Sequence, residues 1–148
     1  NKSNGETLQD RNDFEVNLNL FHVGGGKASF AEYEGKILVV NSWATWCPFC
    51  VNELPDFAEL QEEYGDQIVV VAINRAESEE QSMKFTDELG ITNDLVFLSD
   101  PDDEFFNSLN GLGMPQTLFV DKDRTVRFHK QGPMSLQEMK ERIEPLFD

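Results

Sequence analysis

Two cysteines separated by two residues lie between a short apolar run and a segment with helical character. Cys47 and Cys50 are the only cysteines of the 148-residue chain, and they follow the apolar run 37–40. Pro48 suits the first position of a helix, where a missing N–H leaves no hydrogen bond unmade. The pattern therefore predicts a strand that delivers Cys47 to the start of a helix extending to about Tyr64.

This placement makes the cysteine pair a candidate reactive dithiol. The N–H groups and the dipole of a helix N-terminus favour negative charge, so we expect the pKa of the Cys47 thiol to lie below its ordinary value. The thiolate is the nucleophile of thiol–disulfide exchange. Cys50, one helical turn later, can then resolve a mixed disulfide, and the chemistry needs no cofactor.

Two other interpretations of the cysteine pair are weaker. Structural zinc normally has four ligands, and His22 and His129 are far from the pair and from each other in sequence; both are predicted to lie on the surface. A purely structural disulfide across so short a loop removes little entropy from the unfolded chain. A chain of this length can also bury a core without such a crosslink.

Composition limits the partners of the chain. The net charge is −16, from 28 acidic and 12 basic residues, which argues against nucleic acid and against anionic lipid as partners. No apolar run approaches the roughly 20 residues that span a bilayer. We expect one domain at residues 14–148, preceded by a disordered or tail-like segment at 1–13, with any targeting segment absent from this chain.

The remaining pattern predicts strands that alternate with helices. Alternating apolar residues at 14–21 predict a half-buried strand, which could pair across Gly24–Gly26 with residues 27–30 as an N-terminal hairpin. Further strands are predicted at 37–43, 68–73, 95–98, 116–120 and 125–129, and further helices after the candidate caps Ser78, Asp100 and Ser135. This order predicts an α/β fold in which helices flank a central mixed β-sheet.

Residues 40–50, which read Val-Asn-Ser-Trp-Ala-Thr-Trp-Cys-Pro-Phe-Cys, resemble the thioredoxin superfamily. The run is most similar to the TlpA/ResA-like extracytoplasmic thiol-disulfide oxidoreductases. Pro55 matches the proline that kinks the first helix of this family, and Gly132 matches the glycine after its closing hairpin. Gly113-Met114-Pro115 matches the loop whose proline is cis and faces the dithiol. The resemblance implies a thioredoxin-like fold with a helix-plus-strand unit inserted before Pro115.

The resemblance also implies roles for single residues. Glu53 matches an acid of the ResA-like group and would accept the proton of Cys50; a surface acid on the helix is the alternative. Asn41 occupies the position of a buried Asp in thioredoxins, and a neutral amide cannot act as a base. The implied substrate-binding residues are Trp46, Pro48, Phe49, Met114 and Pro115.

The implied function is reduction of protein disulfides outside the cytoplasm by a monomer. A membrane or soluble dithiol protein would re-reduce the pair, and apocytochrome c is a candidate substrate.

A disulfide-donating oxidant remains an alternative. A copper chaperone-like metal-binding module is disfavoured because its Cys-x-x-x-Cys motif is one residue longer. A thiol peroxidase is disfavoured because Trp43 and Ala44 occupy the positions where its Thr or Ser would stand. Pro48-Phe49 resembles the glutaredoxin spacer and predicts a reduction potential above that of thioredoxin.

Overall fold

The computed structural model describes residues 7–16, 18–110 and 113–147. Six strands and four α-helices cover most of these residues. The strands are β1 (Phe21–His22), β2 (Ile37–Trp43), β3 (Ile68–Arg75), β4 (Val96–Asp100), β5 (Gln116–Val120) and β6 (Val126–Gln131). The helices are α1 (Pro48–Tyr64), α2 (Glu79–Leu89), α3 (Glu104–Ser108) and α4 (Leu136–Ile143).

The strands form one mixed sheet in the order β1-β4-β3-β2-β5-β6. Strands β2, β3 and β4 are parallel, whereas β1, β5 and β6 each run antiparallel to their neighbours. All seven residues of β2 are buried, because side chains of α1, α2 and α4 cover one face of the sheet and α3 with the N-terminal segment covers the other. A strand buried on both faces is apolar without alternation, which is why 37–40 was recognisable in the sequence.

The inserted unit predicted before Pro115 is present. Strand β3, helix α2, strand β4 and helix α3 all lie between α1 and β5. Helix α1 begins at Pro48 and continues through Pro55 without interruption. The N–H of Gln81 donates to Ser78 Oγ at the start of α2, as the predicted cap requires. No helix among the described residues is both long enough and apolar enough to cross a membrane.

The strand predicted at 14–21 is wrong. Residues 14–16 form a turn, and only Phe21–His22 join the sheet, where they pair with β4. The alternation does not define one face, because Val16 is exposed whereas Phe14 is buried. Phe14 and Leu20 instead join the core cluster on one face of the sheet, and Leu18 packs against that cluster.

The predicted N-terminal hairpin is correspondingly short. A single bridge joins Phe21 to Lys27 across the glycine turn. The chain then leaves the sheet because Ser29 caps a 3-10 helix at Phe30–Tyr33, with Glu32 completing a capping box. The hairpin is therefore a tight turn at the sheet edge.

The segment predicted as a tail is packed where the structure describes it. Residues 1–6 lie outside the described residues. Leu8 is buried, the Asp10 N–H donates to the Val126 carbonyl at 2.6 Å, and the Val126 N–H donates to the Arg11 carbonyl at 2.7 Å. The packed region thus begins before Phe14, because residues 8–11 run beside the start of β6.

Candidate active site

The cysteine pair lies where β2 has ended and α1 begins. Cys47 is the N-cap of α1, and its Sγ accepts a hydrogen bond from the Cys50 N–H at 3.3 Å. The two residues form a disulfide, with their Cα atoms 5.3 Å apart. After reduction, the same N–H would face the Cys47 sulfur, so the helix start favours its thiolate form.

The surroundings of the pair are more exposed than the cysteines. In the disulfide form Cys47 is 4% exposed and Cys50 1% exposed. Cys47 is therefore buried in this state, with its sulfur bonded to Cys50 over the first turn of the helix. Trp46 is 61% exposed and Phe49 58% exposed, and Pro48 is also exposed. These three side chains form an apolar rim beside the disulfide.

The loop before β5 forms the other side of the site. The Met114–Pro115 peptide is cis, as the resemblance implies. Ser42 of β2 pairs with Gln116 of β5, so the loop 113–115 lies beside the end of the strand that leads to the cysteines. Pro115 is buried, Met114 is half-buried, and Ser42 Oγ lies 3.6 Å from Met114 Sδ.

Glu53 is a buried acid. Glu53 lies one helical turn after Cys50 and is 3% exposed. Oε2 accepts a hydrogen bond from the Met134 N–H at 2.7 Å, whereas Oε1 has no partner among the described residues. Burial raises the pKa of the carboxyl group to about 7, the Met134 N–H opposes the shift, and the charges of Asp56 and Glu138 add to it. The alternative of a surface acid is therefore wrong.

The carboxylate of Glu77 fixes the turn before the cysteines. No sequence pattern pointed to this residue. Its Oε1 accepts hydrogen bonds from the Thr45 N–H at 2.9 Å and from Asn74 Nδ2 at 2.8 Å. Its Oε2 accepts one from Thr45 Oγ1 at 2.5 Å, and Gln81 Nε2 adds one to Thr45 Oγ1 at 3.2 Å. The side chain of Gln81 thus stabilises this turn. Because the parallel strands β2 and β3 end side by side, the loops that follow them meet here.

Arg75, at the end of β3, lies beside Trp46 of the exposed rim. Its guanidinium makes a bidentate ion pair with Asp103, at 3.0 Å from Nε and 2.6 Å from Nη2. It also lies 3.6 Å from the ring centroid of Phe106 and 5.7 Å from that of Trp46. The cation is therefore positioned against the face of Trp46. No sequence motif marked this residue.

Two β2 side chains near the site serve packing and hydrogen bonding. Trp43 is buried and packs against the rings of Phe85 and Phe97. Asn41 is buried, and its Nδ2 donates to Thr117 Oγ1 at 3.1 Å. This contact joins β2 to β5, and the neutral amide supplies no base.

His129 is buried, which contradicts the predicted surface position. Its Nε2 lies 2.6 Å from Gln116 Oε1, and burial lowers its pKa to about 4. The reason is that the N-terminal segment covers β6.

His22 is only partly buried and pairs with Glu32 at 3.0 Å. Within the described ranges, no three His, Cys, Asp or Glu side chains come together as a metal site would need.

Comparison with known proteins identifies the family. The Redoxin family profile matches residues 4–144. The chain belongs to the Redoxin family. The thioredoxin-like protein YneN of Bacillus subtilis is 33% identical over 131 residues, which cover 86% of this chain and 75% of YneN. The thiol-disulfide oxidoreductase ResA of Geobacillus kaustophilus is 29% identical over 128 residues, which cover 86% of this chain and 72% of ResA.

Solved structures show the same architecture. The exposed lipoprotein thioredoxin Etrx1 of Streptococcus pneumoniae superimposes with a TM-score of 0.73 at 25% identity, covering 87% of this chain and 98% of that one. Together with the disulfide at the start of α1, these similarities establish the Redoxin-family protein as a thiol-disulfide oxidoreductase of thioredoxin-like fold.

Proposed function

We propose that this oxidoreductase reduces protein disulfides, with Cys47 as the attacking nucleophile, Cys50 as the resolving thiol and Glu53 as the acceptor of the Cys50 proton. The observation that carries the proposal is the buried carboxyl group of Glu53, one turn after Cys50, with a pKa of about 7. A group with this pKa is partly ionised at neutral pH, which suits a general base.

The reaction has two exchange steps. The Cys47 thiolate attacks one sulfur of the substrate disulfide, that S–S bond breaks, and the other substrate sulfur leaves as a thiolate. Cys50 then gives its proton to Glu53 and attacks Cys47 Sγ. The mixed disulfide breaks, the second substrate thiolate leaves, and two electrons have passed from the dithiol to the substrate.

Substrate docking involves both sides of the site. Trp46, Pro48 and Phe49 offer apolar contacts, and the Met114–Pro115 loop offers backbone. Neither the N–H nor the C=O of Met114 makes a hydrogen bond to another described residue. An extended substrate segment could therefore pair with Met114 as an added strand does.

The proposed setting is extracytoplasmic. The similarity to an exposed lipoprotein thioredoxin supports this location, and the dithiol must be re-reduced there by a membrane or soluble dithiol protein. We propose that the protein acts as a monomer and that the haem-binding Cys-x-x-Cys-His segment of apocytochrome c is one of its substrates.

The direction of exchange is tested with a peptide that carries a Cys-x-x-Cys-His disulfide. The reduced protein is mixed with the oxidised peptide, and the oxidised protein with the reduced peptide, in glutathione buffers of known potential. Net reduction of the peptide supports the proposal. Net oxidation of the peptide dithiol would assign the disulfide-donating function instead.

A further inference from the structure

A line of three hydrogen bonds, the relay, connects the N-terminal segment to the loop that holds Met114. The Leu8 N–H donates to His129 Nδ1 at 2.9 Å. His129 Nε2 lies 2.6 Å from Gln116 Oε1. Gln116 Nε2 donates to the Gly113 carbonyl at 3.0 Å. His129 and Gln116 are both buried, so water does not compete for the first two bonds. The third bond is partly buried, because Gly113 is exposed.

The Leu8 N–H determines which atom donates and which accepts in each bond of the relay. A backbone N–H can only donate, so Nδ1 of His129 must present its lone pair and the neutral ring carries its proton on Nε2. The Nε2–H then donates to Oε1 of Gln116. This contact fixes the amide orientation, and the NH2 group of Gln116 consequently faces the Gly113 carbonyl.

The relay ends on the residues that flank the substrate-binding loop. Gln116 is the first residue of β5, and its side chain reaches back over Met114 and Pro115 to the Gly113 carbonyl. The hydrogen bond therefore closes the bend in which the Met114 backbone is presented. None of the three hydrogen bonds of the relay involves Cys47, Cys50 or Glu53.

We propose that His129 is a positioning residue for protein substrates: through Gln116 it holds the 113–115 loop in the conformation that pairs with an extended substrate segment. This inference rests on the exchange reaction proposed above and adds the element that aligns the substrate. A small disulfide has no backbone to pair, so its reduction does not depend on the relay. The relay therefore acts on KM for protein disulfides and leaves the chemistry at sulfur unchanged.

Two substitutions of His129 separate this role from simple packing. The amide nitrogen of the longer side chain in His129→Gln can take the place of Nε2 and donate to Gln116, whereas the shorter side chain in His129→Asn replaces only Nδ1 and leaves Gln116 without its donor. Both variants lose one buried hydrogen bond. We expect KM for a peptide disulfide to rise about fivefold in His129→Asn and to stay within about twofold in His129→Gln. Turnover of a small aromatic disulfide and the alkylation rate of Cys47 should match the wild type in both.

The matched control is His22→Gln, which removes the other histidine from the opposite edge of the sheet and should leave KM unchanged. Equal KM values for the two His129 variants would overturn the proposal, whether both rise or neither does. If His129→Asn does not fold, Gln116→Met is the second variant. It removes the two relay bonds that Gln116 makes without a large change in volume, and it should raise KM by the same factor with the small-disulfide rate intact. Loss of both activities together in Gln116→Met would also overturn it. Failure of the wild-type protein to reduce either disulfide would count against the exchange reaction and not against the relay.

Discussion

Replacement of Glu53 by Gln should make the protein more stable at alkaline pH while slowing its catalysis. Burial raises the carboxyl pKa from 4.5 to about 7, so the folded state binds the proton more tightly than the unfolded state. At about 1.4 kcal/mol per pKa unit, the ionised side chain costs about 3 kcal/mol of folding free energy once the pH is well above 7. Gln keeps an oxygen that can accept the Met134 N–H and carries no charge.

The sign of the pH dependence follows from proton release. Unfolding releases a proton from Glu53 between about pH 4.5 and 7, so its contribution to the free energy of unfolding falls as the pH rises through this window. Glu53→Gln abolishes this contribution. The stability difference between the variant and the wild type should therefore shift by about 3 kcal/mol in favour of the variant between about pH 4.5 and 8.

Urea unfolding of the oxidised proteins at both pH values measures this shift, because the disulfide-bonded cysteines do not titrate. Glu62→Gln, an exposed neighbour on the same helix, is the matched control and should change stability by no more than about 0.5 kcal/mol at either pH. In the reduced state, Glu53→Gln should slow release of a mixed disulfide by at least about tenfold at neutral pH. A stability difference that does not vary with pH would refute the claim that burial raises the pKa of Glu53. An unchanged release rate would refute the claim that Glu53 accepts the Cys50 proton.

Four further predictions address other parts of the site. In the reduced protein, iodoacetamide at neutral pH should modify Cys47 before the resolving cysteine, and the reverse order on peptide mapping would contradict the assignment. Arg75→Gln should free Trp46, so iodide should quench tryptophan fluorescence more strongly than in the wild type; unchanged quenching would show that the cation does not hold the ring. Because burial lowers the pKa of His129 to about 4, the free energy of unfolding should fall by as much as about 3 kcal/mol as the pH drops from about 6.5 to 4, and His129→Gln should lack this loss in urea titrations. Equilibration with glutathione should give a reduction potential above the value of about −270 mV known for thioredoxin; a value at or below it would show that the spacer argument does not apply to this scaffold.

The parts of the site that the sequence revealed are those with a local signal. The apolar run of β2, the proline at the first position of α1 and the cysteine spacing all lie within fifteen residues, and together they predict the dithiol at the helix start. The Met114–Pro115 loop was recognisable only through its resemblance to a family motif. In each case neighbouring residues carry the pattern.

The parts that were missed depend on partners distant in the chain. Glu77 contacts Thr45 across 32 residues, and His129 contacts Leu8 across 121 residues. Such contacts arise from strand order, because β2 and β3 end side by side and the N-terminal segment lies over β6. Hydrophobic periodicity carries no information about them, which is why the predicted surface position of His129 is wrong.

The most direct test of the central claim is the identity of the cysteine that forms the mixed disulfide with substrate. Reduced Cys50→Ser protein is mixed with a disulfide-bonded protein, and the adduct is located by mass spectrometry of peptides; Cys47→Ser is treated in parallel. We predict a stable adduct through Cys47 in the first variant and none in the second. An adduct that forms at a comparable rate through Cys50 in the Cys47→Ser protein would contradict the proposed order of attack.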